Sequence, residues 1–190
     1  MQKPLLAFLL LGSVSCGDLV RQGTASSYLI VNSLLGAAGD LGTVRSDVLT
    51  GSAASPSIVD DLGRVQFQLA MKDAGPIGSP SAPSPNNYIT ITRYRVEFVR
   101  ADGRNTPGVD VPYTFDGAFT LTVTESSASV DFPLVRHQAK AEAPLAALSG
   151  SPVIISTIAR VTFYGRDQTG REVSTTAQIG VNFGDFADAA

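Results

Sequence analysis

The chain has no tryptophan, one cysteine and one histidine. A lone cysteine excludes an intrachain disulfide. One histidine beside one cysteine leaves a structural zinc site without its usual ligands. Without tryptophan, the broadest aromatic surface for stacking a ligand ring is missing. Charge is sparse as well: 16% of residues are charged and the net charge is -3. That mild acidity argues against nucleic-acid binding, which goes with a basic face. Long apolar runs are also lacking. The run at residues 5–11 has seven residues, far short of the roughly 20 that cross a bilayer as a helix.

What is present is 190 residues, 44% of them apolar. After a leader is set aside, this suffices for one domain. A domain of about 150 residues buries roughly 68–70% of its unfolded surface and needs no covalent staples.

The first residues have the layout of a secretory signal: Lys3 supplies positive charge, residues 5–11 an apolar core, and Gly12, Ser13, Val14 and Ser15 a small-residue cleavage region. Val14-Ser15-Cys16 resembles the end of a bacterial lipobox, although Ser13 stands where that family usually has leucine. The resemblance implies diacylglycerol on the Cys16 thiol, cleavage just before it, and acylation of the new N-terminus. Two or more chains hold a protein stably on its membrane, where one does so only marginally. Gly17, in place of the aspartate that often retains such proteins at the inner membrane, favours the outer membrane. Expected boundaries are a signal peptide at 1–15, a lipidated cysteine and tether at 16–27, and one domain at 28–186. Eleven tether residues, 17–27, reach at most about 40 Å.

The domain reads as all-β. Val65, Phe67, Leu69 and Met71 alternate with polar residues, as do Phe119, Leu121 and Val123, then Val130, Phe132 and Leu134. Such period-two alternation marks strands with one buried and one wet face. Ile89 and Ile91 fall on one parity, Tyr94, Val96 and Phe98 on the other. One flat strand cannot bury both sets, so a β-bulge or a change of sheet is expected near Thr92-Arg93. Residues 153–164 and 172–183 form a hairpin pair, with Asp167 and Gly170 suited to a type I turn ending in a left-handed residue. This half of the chain resembles the immunoglobulin-like sandwiches, without the tryptophan and cysteine pair of antibody domains. The expected fold is a single immunoglobulin-like antiparallel β-sandwich. It carries a Pro-rich exposed loop at 73–87 and one short helical turn near 144–149. The glycine-rich stretch at 36–42 has neither dinucleotide nor P-loop spacing and reads as a connector.

Candidate chemistry is thin. His137 is expected as a surface or loop residue, and no serine sits in a nucleophile-elbow pattern. Asp60, Asp61, Asp102, Asp110, Asp116 and Asp167 are assigned to loops and explained by turn chemistry. Arg93 and Arg95 share a face with Glu97, as a solvated strand surface does. The segment at 102–113 mixes acids, bases and an aromatic on a rigid scaffold, where recognition tends to reside. Asp102, Arg104, Asn105, Asp110 and Tyr113 are therefore the candidate interaction residues. No catalytic residue, metal or cofactor is assigned. The expected protein is a non-enzymatic envelope lipoprotein that meets its membrane through Cys16 and binds a protein partner or supports an envelope assembly. The alternative is a surface carbohydrate-binding module using Tyr88, Tyr94, Tyr113 or Tyr164. A divergent enzyme would need a converging carboxylate pair, or a serine–histidine pair with His137 near a serine or an aspartate.

Overall fold

The computed structural model describes residues 23–39, 42–52 and 55–186. The leader and Cys16 lie outside them. The strands, in chain order, are β1 Ser27–Gly36, β2 Thr43–Asp47, β3 Thr50–Ser52, β4 Ser55–Ser57, β5 Asp61–Met71, β6 Ile89–Val99, β7 Phe115–Gly117, β8 Leu121–Val123, β9 Ala128–Val135, β10 Ile155–Asp167 and β11 Glu172–Gly184. One helical turn, α1, spans His137–Lys140, and short 3₁₀ turns occupy Pro85–Asn87 and Leu145–Leu148. The last of these is the helical turn expected near 144–149.

Two sheets pack face to face. The smaller has the order β1-β5-β9; the larger runs β2-β11-β10-β6-β7, with β8 also pairing β6. This is an all-β sandwich. In immunoglobulin terms β1, β5 and β9 follow the order A-B-E, while β11, β10 and β6 follow G-F-C. One pair departs from the antiparallel expectation: β2 lies parallel to β11, Val44 opposite Val181. The first strand of the smaller sheet thus gives way to an edge strand of the larger. Because β1 and β5 pair in the same sheet as β9, the segment before the Pro-rich loop shares its sheet with a strand after it.

The alternation read from the sequence builds the core. Val65 and Phe67 on β5, and Ala159, Val161 and Phe163 on β10, are fully buried, while Arg64, Gln68, Ile158 and Arg160 point out. Four rings from both sheets meet at the centre. Phe67 and Phe163 sit edge to face at 4.9 Å, Tyr94 and Phe132 at 4.9 Å, and Phe132 and Phe163 at 5.5 Å. The Tyr94 hydroxyl donates to the Pro133 carbonyl at 3.1 Å, tying the larger sheet to β9. Burial pushes its phenol up to about 12. Tyr94 is thus a core residue and is withdrawn from the possible glycan platforms.

The irregularity expected in β6 is a bulge at Thr92. Tyr164 pairs with Arg93 and Gly165 with Ile91, leaving Thr92 unpaired. The extra residue shifts the parity, so Ile91 and Tyr94 both point inward within one sheet. Gly165 permits this, since a Cβ there would lie 2.5 Å from the Thr90 carbonyl oxygen.

The β10–β11 hairpin extends three residues beyond the expected strand end at 164. Asp167 closes it by accepting the Thr169 and Arg171 amides, each at 2.9 Å, and the Thr169 hydroxyl at 2.7 Å, with Gly170 at φ 85°. Asp61, Asp116 and Asp167 therefore lie within strands, a correction to their assignment as loop acids.

Strand direction sorts the loops between two ends. The hairpin turn, the 73–87 loop and Gly23 share the end where β6 begins. There Asn87 donates to the Ser26 hydroxyl at 2.6 Å, and Lys72 donates to the Gly23 carbonyl at 2.8 Å. The 102–113 loop leaves the other end of β6, which with 11 residues spans about 36 Å. The chain is thus already fixed to the sandwich at Gly23, which shortens the tether expected to run to 27.

Candidate functional site

The five residues singled out in the 102–113 loop come together. Arg100 grips Asp102 through Nε at 3.1 Å and Nη2 at 2.5 Å, and Asp102 also accepts the Arg104 amide at 3.1 Å. Arg104 Nε donates to Asp110 Oδ1 at 3.1 Å, and Asp110 Oδ2 accepts the Thr106 amide at 3.2 Å. The Asn105 side chain accepts the Arg100 amide at 2.6 Å. Buried Val111 pins the loop to the core, and the Tyr113 ring lies over Gly108. The polar groups that suggested recognition are thus turned on one another. Beside the exposed Arg104 and Asp102 side chains, the loop also presents two large apolar groups: Val109 is 68% exposed and Tyr113 55%.

The electrostatics report the same geometry. The Arg100 hydrogen bond, then the Arg104 amide, hold Asp102 down at about 2 instead of 3.8. A carboxylate depressed by folding contributes stability above its ordinary pKa and loses it as pH falls through the folded value. The Asp102 carboxyl carbon is therefore expected to titrate near pH 2 in an NMR pH series, with the loop amides moving together with it. A midpoint near 4 would mean that the Arg100 clasp is absent in solution.

A second surface feature escaped sequence reasoning. A concavity of about 850 Å³ opens on the outer face of the larger sheet, beside the β6 bulge and the hairpin end. Arg93 stacks over Tyr164, 4.1 Å from the ring centroid, and reaches Asp116 at 3.4 Å. Gln168 bridges the Tyr88 carbonyl at 3.3 Å and the Thr90 hydroxyl at 3.2 Å, and Arg166 pairs with Glu172 at 3.0 Å. These bonds are exposed, hence weak, and exchangeable for those of a ligand. The expected bulge marks the position of the groove in the sequence; its other wall comes from residues some 70 positions away in register with it. Arg95 and Glu97 lie on this same outer face, each in an ion pair with a neighbouring strand, to Asp116 at 2.8 Å and to Arg160 at 3.2 Å.

The third cluster lies at the end that carries the 102–113 loop. Asp60 Oδ1 accepts the His137 amide at 2.5 Å and meets its Nδ1 at 2.8 Å. Burial pushes Asp60 up, but the two His137 contacts outweigh it and hold the carboxyl below its ordinary value. His137 lies at the surface, half-exposed, as the first residue of α1. Its amide and its ring nitrogen both meet Asp60, its carbonyl accepts the Ala141 amide, and among the described residues no group of three metal-ligating side chains gathers. Arg136 lies 4.1 Å over the Phe115 ring. Lys140, on the same turn, is buried against Asp61 at 2.9 Å.

No family model matches this chain, and no curated protein or solved structure matches it. The reading of its surfaces therefore rests on their own chemistry. Among the described residues no helix is long and apolar enough to cross a membrane.

Proposed function

We propose that the protein is a non-enzymatic envelope lipoprotein, anchored through lipid on Cys16, that binds a protein partner with the 102–113 loop. One observation carries the reading. The loop is braced by its own hydrogen bonds, so it presents Val109 and Tyr113 already ordered, at the end of the sandwich opposite Gly23. Pre-organisation lowers the entropy lost on binding, and exposed tyrosine ringed by satisfied polar groups is the composition of an interface hot spot. The seven residue steps from Cys16 to Gly23 reach at most about 25 Å. An anchored sandwich would then hold its groove end near the lipid and its loop end away from it. Gly17 favours the outer membrane as the site of anchoring.

The test uses the full chain in native membranes. A photo-crosslinking residue at position 113 is expected to capture one discrete protein. Tyr113→Ala should weaken binding of that protein about 30-fold, the size of a hot spot of about 2 kcal/mol. Radiolabelled palmitate should enter the wild type and not Cys16→Ser. Capture that is unchanged by Val109→Asp, or palmitate label that persists in Cys16→Ser, would sink the corresponding half of the proposal.

The glycan-binding alternative draws on the groove, where Tyr164, Arg93 and Gln168 offer a ring and several donors. Arg93 already covers one face of that ring, so a sugar would have to displace it or use the rim. A glycan array that stays blank at high protein concentration would end this reading.

A further inference from the structure

Lys140 is a lysine with no exposed side-chain surface: 0%, against 18% for its partner Asp61. Its Nζ stands 2.9 Å from Asp61 Oδ1. The other carboxyl oxygen, Oδ2, is buried without a hydrogen-bond partner, and so is the hydroxyl of fully buried Ser46. Three elements converge here: α1 brings the amine, the start of β5 the acid, and β2 the hydroxyl. Part of the wall is apolar, while the Asp47 carboxylate acts on Asp61 and the Asp60 carboxylate on Lys140. Val135, the ladder partner of Asp61, is fully buried, as is Leu145 in the turn that packs on α1. Burial drives the Asp61 pKa up, with Ser46 and Lys140 opposing it.

Removing water from an ion pair raises its energy relative to the neutral amine and acid that one proton transfer produces. The neutral pair is a nucleophile held against an electrophile. Fixed at contact distance, such groups react with effective molarities of about 10⁵–10⁸ M. We propose that Lys140 and Asp61 condense to an intramolecular isopeptide bond. A proton passes from the ammonium to the carboxylate. The Nζ lone pair then attacks Cγ, forming the Nζ–Cγ bond, and one Cγ–Oδ bond breaks. Nζ begins with three protons and ends with one; the other two leave with the departing oxygen as water. One ammonium and one carboxylate become one amide and one water, so no oxidant or co-reactant is needed. The open part of Asp61 gives the released water its way out. The bond would join residues 79 positions apart and lock α1 to β5.

The experiment is intact-mass and tandem mass spectrometry of the full-length protein purified in its folded, processed form. The expected mass is lower by one water than that of the same processed chain, and a proteolytic digest yields a branched peptide joining Asp61 to Lys140. Lys140→Arg should show the full mass and no branched peptide. Asp102-Gly103 and Asp116-Gly117 can also lose water as cyclic imides, so the branched peptide decides. A wild-type digest that yields the Asp61 and Lys140 peptides unlinked, whatever the intact mass, overturns the proposal and leaves a plain buried ion pair.

Discussion

Tyr94→Ala is expected to lower stability by about 3–5 kcal/mol, the cost of emptying a large aromatic site that its neighbours cannot close. The ring touches Phe115, Phe119, Phe132 and Phe163, which come from both sheets and from the segment between β7 and β8. Removing it opens a cavity between the layers, where neither sheet can move inward alone. The hydroxyl adds a separable part. Tyr94→Phe keeps the ring and strands the Pro133 carbonyl, at about 1–3 kcal/mol. Urea unfolding at neutral pH reads both, as shifts in midpoint with the slope unchanged. Equal losses in the two variants would mean that the ring contributes nothing beyond its hydrogen bond, against the packing described above.

The second large effect concerns Lys140 and Asp61. Asp61→Ala leaves a buried ammonium with no counter-charge. It is expected to be about 3–5 kcal/mol less stable than the double replacement Asp61→Leu/Lys140→Met, which buries no charge. Neither chain can form a bond between the two side chains, so the comparison isolates the charge. Lys140→Met gives the complementary case, with a distinct pH signature. Burial already raises the Asp61 pKa, and losing Lys140 removes one of the groups opposing that rise. An acid whose folded pKa is raised favours folding below its ordinary pKa of 3.8. That advantage is lost as pH climbs through the folded value. Lys140→Met should therefore be most stable in acid, measured against the double replacement, and fall behind it towards neutral pH. A gap independent of pH would show that Asp61 has found another partner.

The sandwich was legible where local rules decide: β5 from its alternation, the hairpin from Asp167 and Gly170, the bulge from the parity break between Ile91 and Tyr94. The same parity places Tyr94 with Val96 and Phe98, facing inward, which is why it fails as a sugar platform. The 102–113 loop was legible as composition only. That Asp102 would spend its oxygens on Arg100 and Arg104 depends on the loop's path, which no spacing rule supplies. The groove needs Thr90 and Arg93 brought opposite Tyr164 and Arg166, a register set by the pairing of distant strands. Lys140 was the least legible of all. His137-Gln138-Ala139-Lys140 has no apolar side chain larger than alanine to mark a buried face, and only its docking over the start of β5 makes its lysine an interior residue. The parallel seat of β2 on β11 is likewise a matter of where the chain lands after the 36–42 connector.

The division of the N-terminal segment between the two sheets has a mechanical meaning. A pull on the chain ahead of Gly23 enters the fold along β1, whose ladder partner β5 runs the opposite way. Ladder hydrogen bonds lie across the strand axis, so this load falls on the whole row from Ser27 to Gly36 together instead of opening it one bond at a time. Behind that row the parallel ladder of β2 on β11 forms a second row set in the other sheet. Tension drawn through the N-terminal segment must shear two layers in turn before it reaches the aromatic centre.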